Sequence, residues 1–386
     1  MSEPFRDIHI FTHEFFPNHG GAGIVAEQMA AAAQLNGHRV RLWAPRKSAE
    51  ASKGSRKPFN ILPLALKGSM DWSCRVQHVS QVVRYIKRYG FRENSILHIA
   101  EPGAMLSWLY FQMRRSFPRN LPIVITLHGS EILRFSGSFH RKALFWRFLK
   151  RVHRIQVLSD SNRRLLFDNF PRLRKDKVVV TPGAPRLLPP SDAPTISVPK
   201  KAGRLAILSV GRIHPRKGHR FLLSSLKQLS AEEQKQICLW FAGRVVDERY
   251  QQELEISADQ SQIPIRFFGS VSDADLEKLY QAADIFAMTS RQTGKSIEGF
   301  GLVYLEASQA GLPIIANRTG GVAEAVIDGE TGILSDPNDG ESLIRAIREL
   351  IANPDTRQRL GNNGKIFASG VSWKTAAHDL YDGLTL

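Results

Sequence analysis

The sequence predicts two consecutive α/β domains, each built on a parallel sheet, and three observations support this fold class. Short runs rich in β-branched and aromatic residues alternate with helical segments. A proline-rich segment without periodicity, 183–203, interrupts that alternation near the middle of the chain and is interpreted as a linker. The length of 386 residues exceeds one ordinary hydrophobic core and suits two domains.

The first domain is predicted over residues 1–190 from strand-like runs with helical segments between most of them. These runs are 8–11, 39–45, 95–100, 123–129, 154–160 and 177–182. A glycine-containing loop, 17–23, follows the first run and leads into a helix that starts near Ile24. Because parallel strands need helical crossovers, this order predicts βαβ units and a parallel sheet.

The second domain is predicted over residues 191–370, where the same alternation restarts after the linker. Its strand-like runs are 204–211, 238–243, 265–270, 284–290 and 313–317. One helix is expected from about Gly218 and another from about Gly301. Ligands of such sheets bind beyond the carboxyl ends of the strands, so a cleft between the domains is expected to hold the site.

Composition favours a globular cytoplasmic protein. Hydrophobic residues make up 42% and charged residues 23% of the chain. There is no run of ~18 apolar residues that would predict a spanning helix, and the first residues lack the pattern of a signal peptide. Only two cysteines occur, far apart in sequence, which favours a reducing compartment over a disulfide framework or a zinc site.

The positive charge is concentrated in the first half of the chain. Residues 1–200 hold 32 Lys and Arg against 13 Asp and Glu, whereas residues 201–386 hold 21 against 23. This asymmetry predicts an anionic partner: a membrane surface, a phosphorylated acceptor or nucleic acid. Within that half, 139–154 interleaves basic and aromatic residues. It is either a helix lying on an anionic bilayer at the inner face of the membrane or a core helix with basic solvent-facing positions.

Three places could hold phosphate. Gly20 and Gly21 begin a small-residue turn after a strand, although a tight βα turn explains them equally well. Arg212 and Lys217 follow the strand that ends near Val210, where cations suit a diphosphate; a solvated basic loop is the alternative. The third place is a Gly-Phe-Gly turn at 299–301, which opens an apolar helix.

Two acids flank that glycine turn. Glu298 precedes the turn and Glu306 lies more than one turn inside the helix, so they do not share a helical face. They are expected to contact different parts of one extended ligand that lies over the helix N-terminus. Taken singly, each is better explained as an ordinary glutamate, one exposed on a helix and the other on a loop.

The order of these motifs resembles the retaining glycosyltransferases of family four. The resemblance rests on the following stretches: GGAG (20–23), TLHGSE (126–131), VGR followed by Lys217-Gly218, FFGSVSDADLEKLYQAADIFAMTS (267–290), EGFGLVYLEASQAGLP (298–313) and GGVAEAV (320–326). It covers nearly the whole chain, and its most specific part is the E-x7-E motif from Glu298 to Glu306. It implies the GT-B fold, two facing Rossmann-like domains with an interdomain cleft. A tail helix over 371–386 would return to the first domain.

The resemblance also implies roles for individual residues. Glu306 would bind the ribose hydroxyls and Glu298 the sugar hydroxyls of a nucleotide-sugar donor. Arg212 and Lys217 would neutralise the departing diphosphate, as fixed cations do for developing charge. The remaining residues would surround the donor: Phe300, Gly301 and Leu302 at its sugar and phosphate, Gly269 near its base, Gly20 and Gly21 at its phosphate from the other domain, and His128 beside the reacting sugar.

The reaction implied is transfer of a hexose from a UDP- or GDP-sugar to a glycan or lipid-linked acceptor of the cell envelope. It would proceed on the front face, with the leaving phosphate taking the acceptor proton, without a metal or cofactor. Asp273 and Asp275 spell a metal motif of another glycosyltransferase fold, but the preceding Ser272 favours a helix cap. The chain departs from the family at 182–185 and 242–244, which leaves hinge detail and base contacts open.

Two other functions remain as alternatives. A nucleotide-sugar epimerase of similar architecture fits the motif order less well. A basic nucleic-acid-binding protein would explain the charge but leaves Glu298 and Glu306 unexplained, so no nucleic acid is expected. An NAD oxidoreductase is disfavoured because the GxGxxG fingerprint is absent.

Overall fold

The chain divides into two compact units. The computed structural model describes residues 5–16, 20–52, 57–64, 72–89, 94–112, 121–187, 193, 195–199, 201–382 and 384. The first unit comprises Met1–Gly183 with Ser372–Leu386, and the second comprises Ala184–Val371. The expected glycine loop lies outside the described residues at 17–19, and the expected linker does so at 188–192, 194 and 200.

Each unit contains one sheet, and its strands are numbered in chain order. The first sheet contains β1 (Asp7–Phe11), β2 (Arg39–Pro45), β3 (Asn60–Leu64), β4 (Ser95–Ile99), β5 (Ile123–Leu127), β6 (Arg154–Val157) and β7 (Val178–Val180). The second contains β8 (Leu205–Val210), β9 (Ile237–Ala242), β10 (Ile265–Phe267), β11 (Ile285–Met288), β12 (Ile314–Asn317) and β13 (Gly332–Ser335).

Both sheets are parallel throughout their described pairs. The strand orders are β3-β2-β1-β4-β5-β6-β7 and β10-β9-β8-β11-β12-β13. In each sheet the order reverses next to its first strand, between β1 and β4 and between β8 and β11. Loops diverge at such a point, which is where parallel sheets bind ligands. The predicted α/β fold class is therefore confirmed.

Helices connect the strands and cover the sheets. They are α1 (Gly21–Leu35), α2 (Arg46–Ala51), α3 (Trp72–Tyr89), α4 (Pro102–Phe111), α5 (Ser130–Ser136), α6 (Phe139–Arg151), α7 (Asp160–Asn169), α8 (His219–Leu226), α9 (Ala231–Lys235), α10 (Glu248–Asp259), α11 (Asp273–Ala282), α12 (Leu302–Gln309), α13 (Val322–Ala325), α14 (Gly340–Ala352), α15 (Pro354–Ser369) and α16 (Trp373–Tyr381). None of the described helices is long and apolar enough to cross a membrane.

The amphipathic patterns explain which helical faces are buried. In α6, Phe145, Phe148 and Leu149 are buried in the first core while the basic positions face solvent, as their spacing predicts. In α14, the residues at helical spacing from Leu343 to Leu350 are buried in the second core. The last helix, α16, packs on α1 within the first unit, and Tyr381 bonds His98 of β4 over 2.7 Å.

The edge strands β3 and β13 were not predicted. β3 contains Pro63, which removes a ladder donor and hides a strand signal, yet an edge position tolerates it. β13 has only four residues and begins with Gly332. The predicted start of α1 near Ile24 is also wrong, because the helix begins at Gly21. Glycine is tolerated there because the first helical N–H groups have no intrahelical partner.

Candidate functional site

The loops that follow β8 and β11 meet in the second unit. β8 ends at Val210, and Gly218 closes the loop after it with φ of +77°. A Cβ atom added at Gly218 would lie 1.9 Å from the carbonyl oxygen of Thr289, which follows β11. Only glycine permits this approach, which brings the basic loop 211–217 beside the end of β11.

A similar contact holds the first residue of that loop. Gly243, at the end of β9, has φ of +152°, and a Cβ atom there would lie 2.0 Å from the carbonyl oxygen of Gly211. Gly243 also donates its backbone N–H to the carbonyl oxygen of Gly269 over 2.8 Å. The departure from the family pattern at 242–244 thus keeps a glycine where the backbones touch.

The Glu298 carboxylate lies between two cations from the basic loop. Arg216 Nη1 and Lys217 Nζ donate to Oε2 of Glu298 over 2.7 Å and 2.8 Å. Ser290 Oγ donates to the same oxygen over 3.0 Å. The side chains of Arg216 and Lys217 are each 12% exposed and that of Glu298 is 10% exposed. Two cations against one carboxylate leave an excess of positive charge, which favours an anionic ligand.

These charges set the ionisation of Glu298. Burial acts to raise its pKa, but the charges of Lys217 and Arg216 outweigh burial, and the pKa falls to about 2. Burial has the opposite effect on the cation and lowers the pKa of Lys217, against the attraction of Glu298. Glu298 is therefore a carboxylate at neutral pH.

The glycine turn positions α12 behind Glu298. Gly301 has φ of +92°, and a Cβ atom there would lie 2.5 Å from the ring of Tyr304. The Tyr304 hydroxyl donates to the carbonyl oxygen of Met288, at the end of β11, over 2.9 Å. Phe300 and Leu302 on either side are buried. The first turn of α12 thus begins beside the end of β11, where the sequence predicts the donor sugar and phosphate.

Glu306, one turn into α12, has partners that the sequence did not indicate. The Tyr280 hydroxyl donates to Oε2 over 3.0 Å, and Arg186 Nε donates to Oε1 over 3.3 Å. Arg186 also forms an ion pair with Asp273. Both oxygens of this carboxylate are therefore oriented before any ligand binds.

The remaining predicted residues of this unit have fewer contacts. The Arg212 side chain is exposed and makes no hydrogen bond or ion pair with the described residues. Arg216, which lies in the same loop, contacts Glu298 instead. Gly269 has φ of +66°, a conformation that other residues rarely adopt. Arg216 could have been proposed from sequence only as one of several cations in a basic loop.

The predicted residues of the first unit lie at the carboxyl ends of its central strands. The backbone N–H of Gly20 donates to Glu14 Oε1 over 2.8 Å, and Gly21 begins α1. His128, after β5, places Nε2 3.0 Å from the carbonyl oxygen of Ala100. Its backbone N–H donates to the Glu131 carboxylate.

A buried glutamate that the sequence analysis did not single out lies beside them. Glu101, after β4, accepts backbone N–H groups from His13 over 2.8 Å and from Gly103 and Ala104 over 2.6 Å. Burial raises its pKa despite these three hydrogen bonds. Its position two residues beyond β4 is the one signal that could have indicated it.

Asp273 and Asp275 are both engaged within the unit. Ser272 Oγ accepts the backbone N–H of Asp275 over 3.1 Å, which confirms the predicted cap of α11. The Asp275 carboxylate accepts the backbone N–H groups of Thr195 and Ile196, over 2.5 Å and 2.9 Å. Led by the Ile196 hydrogen bond, these contacts lower the pKa of Asp275 to about 2.

A separate cavity of about 400 Å³ opens beside α8 and α10. It is lined in part by Phe221, Tyr250 and Arg291 and includes neither Glu298 nor Glu306. The Arg291 guanidinium lies 5.0 Å from the centre of the Phe221 ring. The two carboxylate clusters therefore do not line this cavity.

Two stretches of the chain match known protein families. Residues 195–367 match the family described as Glycosyl transferases group 1. Residues 19–184 match the one described as Glycosyltransferase Family 4.

The chain belongs to the family-four glycosyltransferases of the GT-B type. This membership favours the transferase activity that its motifs predict.

Curated relatives of this glycosyltransferase act on inositol-containing substrates, according to their names. The D-inositol 3-phosphate glycosyltransferase of Corynebacterium jeikeium is 33% identical over 222 residues, 53% of this chain and 51% of that protein. The GDP-mannose-dependent alpha-(1-6)-phosphatidylinositol monomannoside mannosyltransferase of Mycolicibacterium smegmatis is 29% identical over 176 residues, 45% of each chain. The chain thus matches about half the length of these relatives.

Solved structures match over nearly all of the chain and show the fold. HepE of Anabaena, in complex with UDP and glucose, has a TM-score of 0.73 at 19% identity, covering 97% of both chains. Sucrose-phosphate synthase from Thermosynechococcus elongatus has a TM-score of 0.74 at 21% identity, with the same coverage. The GT-B prediction is confirmed.

Proposed function

We propose that this glycosyltransferase moves a hexose, with retention of configuration, from a UDP- or GDP-sugar to a glycan or lipid-linked acceptor in cell-envelope synthesis. The observation that carries the proposal is the Glu298 cluster, in which Arg216 and Lys217 leave an excess of buried positive charge. A nucleoside diphosphate is the anion that such a place suits, next to a helix N-terminus. Among its relatives, one is named for GDP-mannose and one was solved with UDP.

Each residue of the proposed site has a role that follows from its chemistry. When the bond from the sugar to the phosphate breaks, negative charge develops on the departing diphosphate. Lys217 and Arg216, with Arg212 extending from the same loop, stabilise that charge as fixed cations. Glu298, held ionised, accepts hydrogen bonds from sugar hydroxyls, and Glu306 accepts them from the ribose. The acceptor hydroxyl loses its proton to the departing phosphate as its oxygen bonds to the sugar.

The turn and the first unit complete the proposed site. Phe300, Gly301 and Leu302 offer backbone at the sugar and phosphate, and Gly269 does so near the base. For the first unit, the family resemblance implies His128 for the reacting sugar and Gly20 and Gly21 for the phosphate. None of these roles needs a metal ion, so we propose metal-independent transfer.

A thermal-shift series tests the donor. UDP, GDP, ADP, CMP and NAD are each added with and without EDTA. A ligand at 100 times its dissociation constant stabilises the chain by ~2.7 kcal/mol. We expect one nucleoside diphosphate to raise the melting temperature whether or not EDTA is present. A shift that disappears with EDTA would contradict metal independence, and no shift with any nucleotide would contradict the donor.

The anomeric configuration of the product tests retention. With the identified donor, proton NMR at early times reports whether the new glycosidic bond keeps the donor configuration. An inverted product would overturn the proposed front-face reaction while leaving the donor assignment intact.

We also propose that the first unit contacts an anionic membrane through α6. A groove of about 270 Å³ lies between α6 and the end of α7, lined in part by Lys142, Trp146, Phe170 and Arg172. Phe139, at its edge, is 84% exposed. Residues 139–154 contain no Asp or Glu. An apolar groove with a cationic rim is complementary to a bilayer whose headgroups are negative.

Vesicle sedimentation tests this contact at low and high salt. We expect binding to phosphatidylglycerol vesicles but not to phosphatidylcholine vesicles, and weaker binding as salt rises. Phe139→Ser and Lys142→Glu should each reduce binding, whereas Lys365→Glu on exposed α15 should not. Equal binding to both lipids, or equal effects of all three substitutions, would overturn the proposal.

A further inference from the structure

Arg186 connects two features that the proposed function leaves unexplained. It directly follows 182–185, where the sequence departs from its family, and it also pairs with Asp273 of the unused metal-like motif. Its Nε donates to Glu306 Oε1 over 3.3 Å, and its side chain is only 22% exposed. A cation that directly follows this departure thus lies at one of the two carboxylates of the site.

The position of Arg186 is fixed from α11. Asp273, in the first turn of that helix, forms an ion pair with the guanidinium. Two residues on, Asp275 accepts the backbone N–H groups of Thr195 and Ile196, and Lys278 Nζ donates to the carbonyl oxygen of Ile196 over 3.1 Å. The start of α11 therefore holds Arg186 directly through Asp273, and it holds residues 195–196 through Asp275 and Lys278.

The Glu306 carboxylate is held at both oxygens. Arg186 donates to Oε1 and the Tyr280 hydroxyl donates to Oε2, while the residue is 9% exposed. An ionised carboxylate offers about four lone-pair sites, two on each oxygen. One acceptor site therefore remains on each oxygen. Two acceptor sites at fixed spacing match the two neighbouring hydroxyls of a ribose.

We propose that Arg186 is a positioning residue that orients the Glu306 carboxylate toward the ribose hydroxyls of the donor nucleotide. The inference rests on the proposed function, because it needs a ribonucleotide donor. Arg186 acts through Glu306 and does not touch the reacting atoms. Its removal would leave the carboxylate free to rotate, so that the two hydroxyls would no longer be bound together.

The test compares ribose with 2′-deoxyribose. Calorimetry gives the dissociation constants of UDP and 2′-deoxy-UDP, or of GDP and 2′-deoxy-GDP if the chain prefers guanine. A site built to bind a hydroxyl group rejects the analogue that lacks it. We expect the wild-type chain to prefer the ribonucleotide by about tenfold or more, the value of one charge-assisted hydrogen bond. Arg186→Ala should reduce that preference to about twofold.

Three further variants separate positioning from a structural role. Arg186→Lys keeps the charge and should retain part of the preference, and Tyr280→Phe, which removes the other donor, should lower it. Arg318→Ala is the matched control, because Arg318 forms an exposed ion pair with Asp328 in the same unit. It should leave the preference at the wild-type value.

The possible results distinguish the positioning role of Arg186 from the proposed function. If Arg186→Ala weakens both nucleotides equally, or changes neither, the positioning role is overturned while the proposed function stands. If Arg186→Ala does not fold, an unchanged ratio in both Arg186→Lys and Tyr280→Phe overturns it equally. If the wild-type chain binds no nucleoside diphosphate, the proposed function fails first and the inference fails with it.

Discussion

Two buried glutamates, one in each unit, differ in what holds them. Glu298 in the second unit faces Arg216 and Lys217, and its pKa falls to about 2. Among the described residues, Glu101 in the first unit accepts only backbone N–H groups, and burial, with the nearby charge of Glu14, raises its pKa. Both residues are buried, at 8% and 5% exposure of the whole residue. The difference in pKa therefore comes from the neighbouring groups and not from burial: two cations lie beside Glu298, whereas amide donors and the Glu14 carboxylate lie near Glu101.

The comparison shows that full charges outweigh desolvation where amide dipoles do not. Glu101 links the loop after β1 to the start of α4, which is a structural role for a carboxylate. Glu298 belongs to a cluster with positive charge in excess, which is an arrangement for binding an anion. Substitutions at either glutamate or at its partners test this difference.

Removing a cation from the Glu298 cluster should have the largest effect. We expect Lys217→Met to lower kcat by about 100- to 1,000-fold, because the departing diphosphate loses one fixed cation. Initial rates with the donor identified by thermal shift measure this. Arg318→Met, at an exposed ion pair of the same unit, is the control. A similar loss in the control would contradict the assignment, as would a Lys217→Met rate within tenfold of wild type.

The contributions of the two glutamates to the free energy of unfolding should change with pH in opposite directions. The folded pKa of Glu298 lies below the unfolded value, so its contribution to stability is present above pH ~4.3 and is lost as pH falls toward 2. About 2 kcal/mol would be lost by pH 3. The folded pKa of Glu101 lies above its unfolded value. Its contribution is present below the unfolded pKa and is lost as pH rises through the folded pKa.

Native-state hydrogen exchange measures the local stability of each unit separately. It is followed in α12 and α4 for wild type, Glu298→Gln and Glu101→Gln between pH 6 and pH 3. The difference in the free energy of opening between wild type and Glu298→Gln should become smaller as pH falls. The difference for Glu101→Gln should become smaller as pH rises. If both differences changed in the same direction with pH, the proposed contrast between Glu298 and Glu101 would be refuted.

Disrupting the Glu101 contacts should destabilise the first unit. We expect Glu101→Gln to lower the free energy of unfolding by ~2 kcal/mol at pH 7, because an amide NH₂ then faces backbone N–H donors. Urea denaturation measures the loss. Glu330→Gln, at an exposed position, should change the stability by less than ~0.5 kcal/mol. Equal stabilities for the two variants would show that the backbone contacts of Glu101 contribute little.

The two glycine turns allow a smaller test. Gly301→Ala should cost ~2 kcal/mol, since it combines φ of +92° with a Cβ atom 2.5 Å from the Tyr304 ring. Gly21→Ala should stabilise slightly, by up to ~1 kcal/mol, because no atom lies within 4 Å of the new Cβ and alanine favours helix. Thermal melting of both variants measures the difference. A loss at Gly21 as large as that at Gly301 would contradict this distinction.

Much of the architecture follows from local sequence. Alternating strand and helix patterns predict both parallel sheets, since burial on both faces leaves continuous apolar runs such as that of β9. The glycine turn before α12 and the Ser272 cap of α11 are equally local, because each depends on residues within one helical turn. The edge strands β3 and β13 were missed because proline and glycine obscure short edge strands.

The sequence by itself determined the fold class, the order of motifs and the two candidate glutamates of the second unit. Only the tertiary structure decided their partners. Lys217 is 81 residues from Glu298, and Arg186 is 120 residues from Glu306. Local periodicity carries no information about which distant side chain approaches a carboxylate, because that depends on how crossovers align the strand ends. For the same reason the contact of Arg216 with Glu298 could not be predicted, and Glu101 emerged only when the loops around it came together.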